Sequence, residues 1–166
     1  MKEIIIESVS NLPHEWATFL LAMIPITELR ASIPIAILTF KMAPMTAFIL
    51  SVLGNVLVGA LTFIFVDKIF DFFLEKVEWL NKIWKKYIHR IQTKNVEKFE
   101  KWGAFALITF VAIPLPLTGI VTGAVAASIF DVPFKKAIPL LAVGSVIAGI
   151  LVTIITLFFP QFVFGK

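Results

Sequence analysis

The 166-residue chain has no cysteine, a single tyrosine, and only 16% charged residues. Without cysteine there is no disulfide framework and no thiolate to act as nucleophile or ligand. The two histidines, His14 and His89, lie far apart with no carboxylate cluster beside them, so no metal site is expected. Phosphate-binding loops, dinucleotide fingerprints and nucleophile elbows are also missing. No catalytic residue and no cofactor is therefore expected, and an enzyme is the least favoured class, since no acid, base and nucleophile constellation is present. Three stretches lack charge altogether: 25 residues from Met42 to Val66, 28 from Gly103 to Phe130, and 29 from Ala137 to Gly165. A bilayer core is crossed by about 20 apolar helical residues. With 59% hydrophobic residues and a mean hydropathy of +0.95, the composition excludes a soluble enzyme, a nucleic-acid-binding domain and a disordered tail. It predicts an integral membrane protein. The N-terminus opens on Lys2 and then Glu3, Glu7 and Glu15, so no cleavable signal peptide is expected.

The apolar segments are of two kinds. Residues 42–66 and 137–159 lack a central break, and Pro44 and Pro139 fall near their starts, where a helix tolerates proline. Residues 17–40 carry Glu28 and Arg30 at their centre, between Pro25 and Pro34. A central charge costs about 2.5–3.5 kcal/mol on insertion scales, and an interior proline removes a hydrogen bond. Residues 103–130 are interrupted by Pro114, Pro116 and Gly119 without charge. The half-segment 17–26 reaches about 15 Å at about 1.5 Å per residue, half of a roughly 30 Å core. The interrupted segments are therefore read as re-entrant hairpins, whose tips must be buried in protein or line a watery cavity. Four kinked spanning helices are the alternative.

An internal repeat supports hairpins. Trp16–Phe19 matches Trp102–Phe105, Ile24-Pro25 matches Ile113-Pro114, and Gly54, Val56, Gly59 and Leu61 match Gly144, Val146, Gly149 and Leu151. The predicted fold is an all-α membrane domain: repeat 1 over 16–66, an amphipathic linker helix over 67–101, and repeat 2 over 102–160. Each repeat is a hairpin plus a span, and one crossing between copies inverts them. Residues 67–102 hold nine Lys/Arg, which places that loop in the cytoplasm and both termini outside, in a plasma membrane. Within 67–91, Phe73, Val77, Leu80, Trp84, Tyr87 and Ile91 form one helical stripe, suited to an interfacial helix.

Thr27-Glu28-Leu29-Arg30 is the one place where ionisable groups enter the predicted membrane. Ser32, with Pro34 behind it, is expected to cap a second half-helix whose N-terminus favours anions. Arg30 adds a planar fork for phosphate or carboxylate. Burial raises a carboxylate's pKa, so Glu28 is the candidate proton-responsive group. Mutual neutralisation of Glu28 and Arg30 is the plainer reading. At the second tip, Pro114, Pro116, Thr118, Gly119 and Thr122 are the candidate opposite wall. Gly54, Gly59, Gly144 and Gly149 are assigned to helix packing, with Asn55 and Ser145 as equivalent interhelical hydrogen-bonding positions.

The run Pro25-Ile26-Thr27-Glu28-Leu29-Arg30-Ala31-Ser32-Ile33-Pro34 carries a family resemblance. So do Gly54-Asn55, Ala112-Ile113-Pro114-Leu115-Pro116-Leu117-Thr118-Gly119 and Thr122-Gly123-Ala124. Together they resemble the small multidrug export protein family over about residues 17 to 158. That family usually has Gly at the positions of Ala31 and Leu117. The hairpin-plus-span plan also resembles, more distantly, the DedA (SNARE-associated, VTT) superfamily. That likeness implies lipid-linked substrates and proton coupling, but its arginines at the second tip are absent here. The combined expectation is a proton-coupled secondary transporter or flippase for an amphiphilic or lipid-linked, anionic substrate. A homodimer among membrane lipids, with no nucleic-acid partner, completes it. A passive channel and a non-transporting scaffold or assembly factor are the alternatives.

Overall fold

The computed structural model describes residues 12–76, 96–113, 118–130 and 132–159. All regular elements among them are helices. The first interrupted segment gives α1 (His14–Met23) and α2 (Glu28–Pro34), which runs on into a π-helical turn, Ile35–Thr39. Next comes α3 (Pro44–Lys76). The second interrupted segment gives α4 (Val96–Ala112) and α5 (Ile120–Ile129), followed by α6 (Phe134–Phe158).

Proline chemistry explains the first break. Pro25 has no N–H, and its ring pushes Ile24 out of the α region, to φ −73° and ψ 120°. The chain turns over residues 24–27 and α2 runs back along α1. The rings of His14 and Phe40 stack with centroids 4.7 Å apart and an interplanar angle of 3°. The Thr18 hydroxyl lies 3.3 Å from the Met42 sulfur. A single kinked helix would hold residues 14 and 40 about 39 Å apart, so this segment is a helical hairpin closed at its base. Pro34 then widens the second arm. It cannot donate to residue 30, and the following turn is spanned by Phe40 N–H to the Ile35 carbonyl at 3.0 Å, a five-residue step. In the second segment α5 folds back on α4, with Gly123 against Val111 and Leu107.

Among the described residues, two helices are long and apolar enough to cross a bilayer: α3 over Pro44–Val66, with mean hydropathy 2.4, and α6, with 2.6. Leu53, Leu57, Leu61 and Ile64 fall at steps of four or three along an exposed face of α3. Val143, Ile147, Ile150 and Ile154 do the same on α6. Such apolar stripes would drive association in water and are lipid-facing surface in a bilayer.

The chain divides into two compact units, Met1–Val58 with Ser145–Lys166, and Gly59–Gly144. The first unit has a core of Leu29, Ile33, Ala36, Ile37, Ala47, Ala148 and Val152. The second packs Ile120 on Gly59, and Phe63 edge-on to Phe134 at 5.6 Å.

Two boundaries differ from those read in the sequence. No separate helix begins at residue 67, because α3 continues unbroken to Lys76. Asp67-Lys68-Ile69-Phe70-Asp71 contains no glycine or proline, so an established helix propagates through it. Residues 77–95, the rest of the amphipathic stretch, lie outside the described residues. Likewise α4 begins at Val96, six residues ahead of Trp102, where the second repeat was expected to open.

Candidate functional site

The first tip is tighter than its sequence implied. Residues Ile24–Thr27 make the turn, and Glu28 already belongs to α2. Thr27 closes this turn: its hydroxyl donates to the Leu21 carbonyl at 3.0 Å and to the Ile24 carbonyl at 3.3 Å. The Leu21 carbonyl lacks its α-helical partner because the donor position is Pro25, which has no N–H. The Glu28 N–H also donates to the Ile24 carbonyl, at 2.9 Å. Ile26, at the outermost point, is 90% exposed.

Glu28 carries the site's most unusual backbone. Its φ is +47°, the left-handed region, which costs a side-chain-bearing residue about 1–2 kcal/mol. Its side chain is nevertheless 94% buried, since only 6% of the residue is exposed. Leu29 beside it is buried in the core, and Arg30 is half-buried. The Glu28 and Arg30 charges act on one another. Glu28 thus combines a buried side chain with strained backbone at the start of α2, next to an exposed turn.

Ser32 does not cap a helix. Because α2 starts at Glu28 rather than near Pro34, Ser32 lies one turn inside, and its hydroxyl donates to the Ser51 hydroxyl on α3 at 2.7 Å. One turn beyond Ser51, the Asn55 side-chain amide donates to Ser145 Oγ on α6 at 3.0 Å. Ser32, Ser51, Asn55 and Ser145 are all fully buried. The sequence reading missed Ser51. Its four-residue spacing from Asn55, inside an uncharged run, was the available signal.

At the second tip, Pro114 and Pro116 lie outside the described residues. The Thr118 hydroxyl donates to the Ile113 carbonyl at 2.8 Å. Both tips therefore have a threonine reaching back to the isoleucine that precedes the first proline. Thr122 is exposed and its hydroxyl donates to the Gly119 carbonyl at 3.2 Å. Gly119 is fully extended, with φ 171° and ψ −175°.

The four packing glycines separate into two pairs. A Cβ on Gly54 would run into the Phe19 carbonyl oxygen of α1. One on Gly144 would come within 2.9 Å of the Ile108 carbonyl oxygen of α4. In each case the span seats the backbone of the first arm of the hairpin that precedes it. Gly59 and Gly149 instead face side chains, Ile120 and Phe48 respectively. Among the described residues no group of three or more His, Asp or Glu is arranged to hold a metal ion.

The model of the family described as "Putative small multi-drug export protein" matches residues 28–151. That span begins at Glu28 and includes Arg30, both glycine pairs and the second tip. No curated protein and no solved structure matches the chain.

Proposed function

The chain belongs to the small multi-drug export protein family, and from that premise we propose that it is a proton-coupled secondary transporter or flippase. Its substrate is amphiphilic or lipid-linked, with an anionic group met by Arg30. Its hairpins are re-entrant, and Glu28 and Arg30 at the tip of the first form its site. The carrying observation is Glu28, a buried carboxylate at the tip of a helical hairpin on strained backbone. Ionisable groups at membrane depth are expensive and mark ion or substrate pathways. Glu28 takes up a proton in one access state and releases it in the other, while Arg30 stays charged throughout.

Several contacts favour an inverted repeat. Gly54 and Gly144 are equivalent in the repeat, and each seats a carbonyl from the first arm of the preceding hairpin, that of Phe19 and that of Ile108. Asn55 and Ser145, 90 residues apart and equivalent in the repeat, hydrogen-bond each other, as positions beside a local two-fold axis do. The DedA likeness rests on this architecture. A homodimer would bury hairpin surface that lipid cannot cover.

Reconstitution tests the reading. In vesicles with an internal pH-sensitive dye, wild-type protein moves protons when a fluorescent amphiphile is supplied on one side. Glu28→Gln abolishes the proton signal, and Arg30→Ala abolishes amphiphile movement. Both variants behaving as wild type would refute the assignment. Proton flux that needs no amphiphile and follows voltage alone would assign a channel instead.

A further inference from the structure

The row Ser32, Ser51, Asn55 and Ser145 has a feature that hydrogen bonding within the chain does not complete. Asn55 is 99% buried, and its amide nitrogen is spent on Ser145 Oγ. Its carbonyl oxygen Oδ1 has no hydrogen-bond partner among the described residues. Leaving such an acceptor dry is destabilising, and at membrane depth bulk water cannot relieve it. Native folds satisfy these atoms or use them.

The surrounding chemistry narrows what completes it. Ser51 and Ser145, the polar neighbours of Asn55, are hydroxyls, each retaining oxygen lone pairs after the bonds they make. The orphaned atom is a carbonyl oxygen, which accepts, so a cation or a hydrogen-bond donor completes it and an anion does not, and neutral hard oxygens suit a hard cation over a soft metal. The row contains no carboxylate. The nearest along the chain is Glu28, one helical turn before Ser32. Calcium and magnesium require carboxylate-rich shells, so the charge supply matches a single positive charge. We propose that Asn55 Oδ1, with the hydroxyls of Ser51 and Ser145, forms a buried site for one sodium ion between α3 and α6.

The site bridges α3 and α6 within one compact unit, so occupancy ties the two long helices together. It stands apart from the tip carboxylate and does not depend on the transport reading. Sodium binding is measurable whether or not any substrate moves.

The test uses the purified full-length chain in detergent. Thermal unfolding is followed by tryptophan fluorescence while sodium chloride replaces choline chloride or potassium chloride at constant ionic strength. Radioactive sodium binding is measured in parallel. Sodium raises the unfolding midpoint saturably and choline does not. Asn55→Ala raises the half-saturating sodium concentration by at least about tenfold. If Asn55→Ala does not fold, Ser51→Ala is held to the same criterion. Equal stability in sodium, potassium and choline would overturn the proposal and assign a bridging water to Oδ1. A sodium effect unchanged by these substitutions would overturn it too. Loss of amphiphile transport in Glu28→Gln with sodium binding intact separates this site from the tip.

Discussion

Gly144 and Gly149 sit five residues apart on α6, so alanine at either gains the same helix propensity, about 1 kcal/mol. They differ in what the new methyl group meets. At Gly144 it comes within 2.9 Å of the Ile108 carbonyl oxygen and 2.8 Å of Val111 Cβ, where ordinary contact begins at 3.4 Å. The deficit is 0.5 Å against the oxygen and 0.6 Å against Cβ, and both atoms are fixed to the α4 backbone. Relief therefore requires α4 and α6 to move apart, an overpacking cost of about 1–3 kcal/mol. At Gly149 the nearest atoms are Cε2 and Cδ2 of the Phe48 ring, at 2.8 and 3.1 Å, and a ring edge can swing aside. Gly149→Ala should therefore be near neutral or slightly stabilising, and Gly144→Ala less stable than it by about 1–2 kcal/mol. Denaturant unfolding in mixed micelles, read by intrinsic fluorescence, measures the difference. Equal stabilities, or Gly149→Ala the worse of the two, would refute the claim that α6 seats the α4 backbone at Gly144.

Lys41 has φ +56° in the exposed turn after the first hairpin, so Lys41→Gly should stabilise by up to about 1 kcal/mol in the same assay. Thr27→Val keeps the side chain's shape but removes the hydroxyl that bonds the Leu21 and Ile24 carbonyls, and should cost about 1 kcal/mol. Thr118→Val tests the matching bond to Ile113 and should cost about as much. A cysteine pair at positions 14 and 40, in a chain with none of its own, should crosslink readily because those rings stack at 4.7 Å. A pair at 14 and 26 should not, since Ile26 lies at the opposite end of the hairpin.

The parts of the fold legible in the sequence are those governed by composition and proline. Uncharged runs marked α3 and α6, and Pro25 marked the break at Ile24, because those signals act locally. Local signals did not fix where the second arm begins. Glu28 enters α2 on a left-handed φ, and no residue preference predicts that for a glutamate. The π-helical turn after Pro34 was likewise hidden, since proline signals a disturbed helix without saying how the register absorbs it. The end of α3 was misplaced because charge density at residues 67–76 marks a change of solvent, whereas the backbone responds to helix breakers. For the site, Glu28 and Arg30 stood out as isolated charges in an apolar stretch. The Ser32–Ser51 bond did not, because it joins residues on two helices. The bonds of Thr27 and Thr118 to main-chain carbonyls were hidden for a similar reason, since the partner of a hydroxyl near a tip is set by the turn's geometry.

The account turns on the hairpins being re-entrant, and sided labelling of single cysteines tests this most directly. Glu15→Cys, Lys41→Cys and Lys135→Cys are each introduced into the cysteine-free chain and treated in intact cells with a membrane-impermeant maleimide. Positions 15 and 41 should label from outside, and position 135 only after the cells are opened. Labelling of positions 15 and 41 from opposite sides would mean that the first segment crosses the membrane, which would contradict the account.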